Sequence, residues 1–360
     1  MILTQTNPNH TNAHPQTTTA FTIATTPEAF QILSGNLYEN RHLAILRELC
    51  TNAHDAHVSI QNPDPIQIQF PGQFQSELAI IDHGPGMSDA DIRTLYTTYF
   101  GSDKRDSNIM VGALGLGSKS PLSLYESFTV STKTSHESVG RQYIVHLSQT
   151  GTPQITYVSP IAHHTGTTIS MTIPQSDQTK FRTYLPEVTT FMEPMPQIDG
   201  LDPQFLQTLQ ARHDQWLHAR HRLSDHTYYA LASQVPYNNK SLYEQAIIVQ
   251  GNVPYPVPYR ELQFSQNSIP SFIITVPIGS VTPAASRETL SLTPQTTQYL
   301  RERILHIHKI HLNNERLRLL MVPQTIHQYI KSLPERPTSY SSPQRVHLPH
   351  FLAKRAGPPL

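Results

Sequence analysis

The chain has 360 residues, with Lys plus Arg equal to Asp plus Glu at 26 each, so no global field draws it to nucleic acid or to an anionic membrane. Its length suits two domains of ordinary size, and its single cysteine, Cys50, excludes an intrachain disulfide framework and fits a reducing cytoplasm. No apolar run approaches the roughly 20 residues that span a bilayer, and the opening "MILTQTNPNHTNAHPQTTTA" lacks the basic start and apolar core of a signal peptide.

Residues 1–20 are rich in Thr, Asn, Pro and His without periodicity, and read as a flexible tail. Order is expected from "FTIATTPEAFQILSGNLY" onward. From there to 180, helical patterns alternate with the short apolar strands "PIQIQF", "ELAIID", "SFTVST", "RQYIVHL" and "GTTISMTIP". That alternation predicts an α+β sandwich, a sheet covered by helices on one face. The region 175–240 is expected to be helical, with "PQFLQTLQARHDQWLHARHRL" its clearest case. Strands return in "QAIIVQGNVPYPV" and "IPSFIITVPIG", followed by helical "TTQYLRERILHIHKIHLNNERLRLLMV", so a second, smaller α/β domain is expected over 181–322. Residues 323–360, rich in Pro, Ser and basic side chains, read as another tail, and no internal repeat is found.

Three stretches carry chemistry. In "NRHLAILRELCTNAHDAHV" there is no Gly or Pro, and Leu46, Leu49, Cys50 and Ala53 recur at i, i+3, i+4 and i+7, the pattern of an amphipathic helix. At about 100° per residue, Glu48, Asn52 and Asp55 fall within an arc of roughly 60° opposite that stripe. Alone, the trio reads as a solvated helix face. In "ELAIIDHGPGMS", Asp82 ends a strand and Gly84 and Gly86 force a turn, so its carboxylate is placed to accept from an amino group on a flat heterocycle, although an ordinary turn Asp has the same look. In "GALGLGSKSP", Gly112, Gly115 and Gly117 expose backbone N–H groups, which form an anion site if Ser118 to Tyr125 starts a helix. A P-loop does not fit, because Ser118 intervenes before Lys119, and the dinucleotide fingerprint fails at Ser120.

In this order, and with "GTTIS" beginning a later strand, the motifs resemble the GHKL superfamily, the Bergerat-fold ATPases that include gyrase, the large heat-shock chaperone, histidine kinases and MutL. The resemblance implies ATP and Mg²⁺. It implies that Glu48 activates water, Asn52 holds Mg²⁺, Asp82 with Gly84, Gly86 and Met87 reads adenine supported by Thr167, and Gly112, Gly115, Leu116 and Gly117 close as a lid over the phosphates. Asp55 would orient its neighbours or reach the nucleotide through water. Lys119, and Lys104 in "GSDKRD", lie where a lid lysine could touch phosphate, though a solvated loop lysine is the plainer reading of each. Phosphoryl transfer to water needs a metal against the phosphate charge and a base aimed at the water. Glu48 and Asn52 sit at i and i+4, about 6 Å apart along a helix axis, so one rigid element can position both.

A narrower resemblance, to the phage rIIA-like proteins, rests on "FQILSGNLYENRHLAILRELCTNAHDAH", "GSDKRDSNIMVGALGLGSKSPLSLYESFTV", "VQGNVPYPV" and "VPIGSVTPAASRETLSL", over residues 21–295. It implies a phage-encoded protein in the host cytoplasm, with an unidentified phage or host partner; long members of that family continue well past 360 residues. "SRETL", Ser286 to Leu290, resembles the heat-shock chaperone segment whose arginine reaches the γ-phosphate, which makes Arg287 a catalytic candidate beside the alternative of a salt bridge to Glu288 or another neighbour. A homodimer formed on ATP binding is a further implication. The twenty histidines show no metal-ligand spacing, so His163 and His164 read as polar surface, Trp216 reads as core or interface, and the basic C-terminal stretch is only a weak sign of nucleic acid. The rival functions are a histidine-kinase-type phosphotransferase, a non-hydrolysing nucleotide-gated adaptor and a rigid structural protein.

Overall fold

Helix α1 (Pro27–Ser34) is followed by α2 (Arg41–Ser59), the element on which the candidate site is built. Asn40 starts α2, its side chain accepting from the Leu43 N–H at 3.2 Å, and Gln61 at φ 56° turns the chain away after its end. The computed structural model describes residues 26–34, 37–72, 76–99, 117–224, 226–235, 244–265 and 269–332. Leu43, Ile45, Leu46, Leu49, Cys50 and Ala53 are buried as the periodicity requires. The opposite face does not meet solvent as its polarity suggests: Glu48 is 4% exposed and Asp55 1%. Buried carboxylates need partners, and for Glu48 the partner, Arg287, comes from a distant part of the chain.

The first sheet contains β1 (Gln67–Gln69) and β2 (Glu77–Asp82). The short α3 (Asp89–Asp91), capped by Ser88, and a 3-10 turn over Gly117–Ser123 lie on the way to the next strands. These are β3 (Ser127–Lys133), β4 (Gly140–Leu147), β5 (Pro153–Ile161) and β6 (Gly166–Thr172), after which α4 (Gln175–Thr189) leads to β7 (Gln197–Asp199). The strand order is β5-β4-β3-β6-β2-β1-β7, antiparallel throughout except β1 with β7. Leu46 and Leu49 of α2 and Phe181 and Leu185 of α4 share one core with Ile68, Ile80 and Val130 of the sheet. On β4, Tyr143 and Val145 are buried while Ile144 between them is 39% exposed, the alternation of a sheet covered on one side. Register then sets one row across three strands: Asp82 lies opposite Thr167, and Thr167 opposite Thr132.

The second sheet follows α5 (Pro203–Ala219), whose cap Asp202 accepts from the N–H groups of Gln204 and Phe205 at 2.9 and 3.2 Å. Its strands β8 (His221–Ser224), β9 (Thr227–Leu231), β10 (Gln245–Gln250), β11 (Val253–Pro258) and β12 (Phe272–Val276) run in the order β11-β10-β12-β9-β8, and the long α6 (Pro294–Ser332) comes last. α5 serves both layers, since Leu209 belongs to the first core and Trp216 to the second, where it stands edge-on to Phe191 at 5.3 Å beside Val249 and Ile273. The chain divides into two compact units, Met1–His308 and Lys309–Leu360, with both sheets in the first and the last part of α6 in the second. Among the described residues no helix is long and apolar enough to cross a membrane.

Three expectations change. The region 175–240 is not helical throughout: β8 and β9 follow α5, and "TYYAL" supplies the β-branched and aromatic residues that a long helical reading hides. β5 is absent from the expected strands because Pro153 and Pro160 bracket it; it lies at the sheet's edge, where proline is tolerated. Residues 323–332 are helical, since α6 continues past Pro323 to Ser332. The expected tail over 1–20 lies outside the described residues.

Trp216 is 1% exposed, so Trp216→Ala should remove about 3 to 5 kcal/mol of stability through lost burial and a residual cavity. Leu312, 52% exposed, should tolerate alanine within about 0.5 kcal/mol. Urea unfolding of the two variants checks both, and equal midpoints would contradict this packing.

Candidate nucleotide site

Two clusters form along α2. The first gathers on Glu48. Arg287, from the segment after β12, places Nη1 3.2 Å from Glu48 Oε2, with both residues about 95% buried. Burial works against the charge on Arg287, and the Glu48 carboxylate, aided by Tyr255 and Asp55, more than offsets it and holds the guanidinium pKa above its ordinary value. Arg287 adopts φ 56°, a left-handed backbone unusual for a non-glycine residue. It does not pair with Glu288, whose carboxylate accepts instead from the N–H groups of Glu39 and Asn40. Gly117 closes the other side of Glu48: a β-carbon there would stand 2.1 Å from Glu48 Oε2, so only glycine allows the backbone this near. Asn52, one turn along, is half-buried, and Asp55 is within electrostatic reach of Arg287.

The second cluster centres on Asp82. Its Oδ1 accepts from the N–H groups of Gly84 at 2.9 Å and Thr167 at 3.2 Å, so two backbone donors fix the carboxylate. A β-carbon on Gly84 would strike Ala56 of α2 at 2.6 Å, and one on Gly86, at φ +70°, would lie 2.1 Å from the Lys133 carbonyl. Thr132, which the motifs do not mark, ties this corner together. Its hydroxyl donates to the Gly166 carbonyl at 3.1 Å, accepts from the Met87 N–H at 2.9 Å and meets the Thr167 hydroxyl at 3.1 Å. His163 and His164 are not surface decoration either. His164 Nε2 bonds the Asp82 carbonyl at 2.9 Å, its ring lies 4.0 Å from that of His163 and 4.4 Å from that of His83, and burial lowers the pKa of His163 and His164. Only the dipeptide repeat of His163 and His164 hinted at them in the sequence, and it carries no sign of what they face.

Lys119 departs from the solvated reading. It is 5% exposed, its amine donates to the Thr98 carbonyl at 3.3 Å, and it lies 5.3 and 5.7 Å from the ring centres of Tyr96 and Tyr99. Gly112, Gly115, Leu116 and Lys104 lie outside the described residues. Ser118 to Tyr125 does not open an α-helix; Gly117–Ser123 is a 3-10 turn around Pro121. Among the described residues no group of three or more His, Cys, Asp or Glu side chains is arranged to hold a metal ion.

Residues 40–172 match the family model of the histidine kinase-, DNA gyrase B- and HSP90-like ATPases. This segment is a GHKL-type ATPase-like domain. The match takes in α2, the Asp82 turn and β6, and so covers both clusters except Arg287. One similar solved structure is the ATPase region of Saccharomyces cerevisiae topoisomerase II bound to ICRF-187 (dexrazoxane), at 10% identity over 75% of this chain and 85% of that one, with a TM-score of 0.47. No curated protein sequence matches the chain. Along α2, Glu48 thus lies beside Gly117 and Arg287, with Asn52 and Asp55 following toward the Gly84 turn, where Asp82, Met87 and Thr167 gather. From Glu48 to Ala56, which touches the Gly84 turn, is about 12 Å of helix.

Burial pushes the Lys119 amine down to about 8 from its ordinary 10.5. Between these values the unfolded chain holds a proton that the folded chain has released, so the unfolding free energy contributed by this group rises with pH. Relative to Lys119→Met, the wild type should gain stability as pH rises from about 8 to about 10, measured by urea midpoints at each pH. A constant difference would place the amine in solvent.

Proposed function

We propose that the GHKL domain binds Mg–ATP and hydrolyses it, and that the segment carrying Arg287 senses the γ-phosphate and couples hydrolysis to movement of the second sheet, which acts as a transducer-like domain. The observation that carries this reading is the buried contact of Arg287 with Glu48. A carboxylate enclosed between a glycine backbone and a cation from another part of the chain is a base kept in reserve.

ATP lies along α2, with its adenine amino group donating to Asp82 and its phosphates toward Gly117. Asn52 would offer a neutral oxygen to Mg²⁺; a single amide ligand suits an ion that arrives with its nucleotide and keeps much of its hydration. Bound Mg²⁺ supplies charge neutralisation of the phosphates. Arg287 exchanges Glu48 for the γ-phosphate, where it stabilises the charge of the transition state. Freed of its partner, Glu48 takes a proton from water as the water oxygen bonds to the γ-phosphorus. The bond to the β-phosphate bridging oxygen breaks, and ADP and phosphate leave. Lys119 and Asp55 contribute at the phosphate end, by charge and by orientation.

Two chains associate when ATP draws Arg287 inward, because a ligand favours a state only by its differential affinity for it. The rIIA-like motifs support a phage-encoded switch in the host cytoplasm with a phage or host protein as its target. A basic contact with nucleic acid has no support beyond the C-terminal composition.

Glu48→Gln keeps an acceptor for Arg287 and removes the base. It should bind Mg–ATP as the wild type does and release phosphate at least about a hundredfold more slowly. Asp82→Asn should lose the discrimination of ATP from GTP, with a penalty of about 1 to 3 kcal/mol for the mismatched buried group. Phosphate release and calorimetry read the two effects. Turnover by Glu48→Gln at the wild-type rate would reject the assignment of the base, and tight binding with no turnover in the wild type would favour the nucleotide-gated adaptor.

A further inference from the structure

We infer that Glu288 is a positioning residue for the reaction: it anchors the Arg287 segment to the start of α2, so that Arg287 can leave Glu48 for phosphate without the segment coming away. This rests on the hydrolytic reading above.

Three consecutive residues meet α2 and the residues just before it at three points. The Ser286 carbonyl accepts from Arg47 Nη2 at 3.0 Å, Arg287 pairs with Glu48 at 3.2 Å, and Glu288 reaches past both to the residues that precede the helix. There its two carboxylate oxygens take one backbone N–H each, Oε1 from Asn40 at 2.7 Å and Oε2 from Glu39 at 2.9 Å. Those donors sit at the positive end of the α2 dipole, where an anion is favoured and N–H groups lack partners within the helix. Asn40 is also the α2 cap, so Glu288 holds the residue that starts the helix bearing Glu48 and Asn52.

The segment is rigid enough to transmit this hold. Ala284 and Thr289 are joined by an N–H to carbonyl bond of 2.9 Å, the Arg287 N–H donates to the Ala284 carbonyl at 2.9 Å, the Ser291 N–H donates to the Thr282 carbonyl at 2.8 Å, and Pro283 bridges Leu290. Neighbouring side chains of opposite charge thus grip the same helix at opposite ends of its first two turns. When Arg287 releases Glu48, the Glu288 and Ser286 contacts remain. Glu288 itself faces neither Asp82 nor Asn52, so its loss should spare nucleotide binding.

The test uses the full chain with Mg–ATP and the variants Glu288→Ala and Glu288→Gln. Glu288→Ala should lower kcat at least about tenfold, since an ångström of misplacement can cost up to about a hundredfold, while KM and the affinity for a non-hydrolysable analogue stay within about twofold, the mark of an interaction that matters only in the transition state. Glu288→Gln retains one acceptor oxygen and should fall between. Hydrogen exchange should show lost protection at the amides of residues 39–40 and 284–289 in Glu288→Ala, with β2 unchanged. Unaltered kcat in Glu288→Ala overturns the proposal, and so does a joint loss of affinity and β2 protection, which would mark a merely structural role. If the wild type releases no phosphate, the hydrolytic reading fails and the kinetic role falls with it; unchanged exchange at residues 39–40 would separately overturn the anchor.

Discussion

The ion pair between Arg287 and Glu48 is the constraint that seats the segment after β12 on the helix along which both clusters form. Both side chains are almost wholly out of water, and taking two charges into such surroundings costs several kcal/mol per ion unless geometry and further polar contacts offset it. A buried pair is therefore a poor way to gain stability and a good way to specify which surfaces meet. Here it specifies that the segment after β12 must sit on α2. Tyr38 and Tyr255 lie within electrostatic reach of the pair, and burial pushes both hydroxyls upward in pKa, Tyr255 to about 12. Gly117 completes the enclosure, because any side chain there would occupy the space of the Glu48 carboxylate.

A second constraint acts at the far end of α2. β2 and β6 are paired so that Asp82 and Thr167 are neighbours, and this register lets one carboxylate oxygen bind the Thr167 N–H while the Gly84 N–H approaches it from the turn. Gly166, at φ +131°, allows β6 to begin against the Asp82 carbonyl, where a β-carbon would be 2.1 Å away. α2 joins the two ends as a rod of fixed length. Its Ala56 rests on the Gly84 turn and its Glu48 on Gly117, so the two clusters stand at a separation set by helical rise.

Much of this was legible in the sequence, for local reasons. The period of Leu46, Leu49, Cys50 and Ala53 identifies α2, the spacing of Glu48 and Asn52 places them one turn apart, and the strand ending in Asp82 is announced by the glycines after it. What local pattern cannot show is which side chains arrive from afar. The polar face of α2 looks solvated because nothing nearby in sequence reveals that residues 286–288 and Gly117 cover it. Thr132 looks like any strand threonine until sheet register sets it beside Thr167. Lys119 looks like a loop lysine until Tyr96 and Tyr99 fold over it. β8 and β9 were hidden for the opposite reason, since a strongly helical stretch before them carries its apparent period past Ala219.

The coupling of Glu48 to Arg287 is the quantity on which the account turns, and a double-mutant cycle measures it. Stability is read by urea unfolding for Glu48→Gln, Arg287→Met, the double variant and the wild type. Each single variant leaves a buried polar or charged group without its partner, whereas the double variant removes both charges, so the double change should cost less than the sum of the singles by at least about 1 kcal/mol, within the usual range for residues in contact. Additive costs would mean that the two side chains do not meet in solution, and the reading of Glu48 as a base held in reserve by Arg287 would be lost with them.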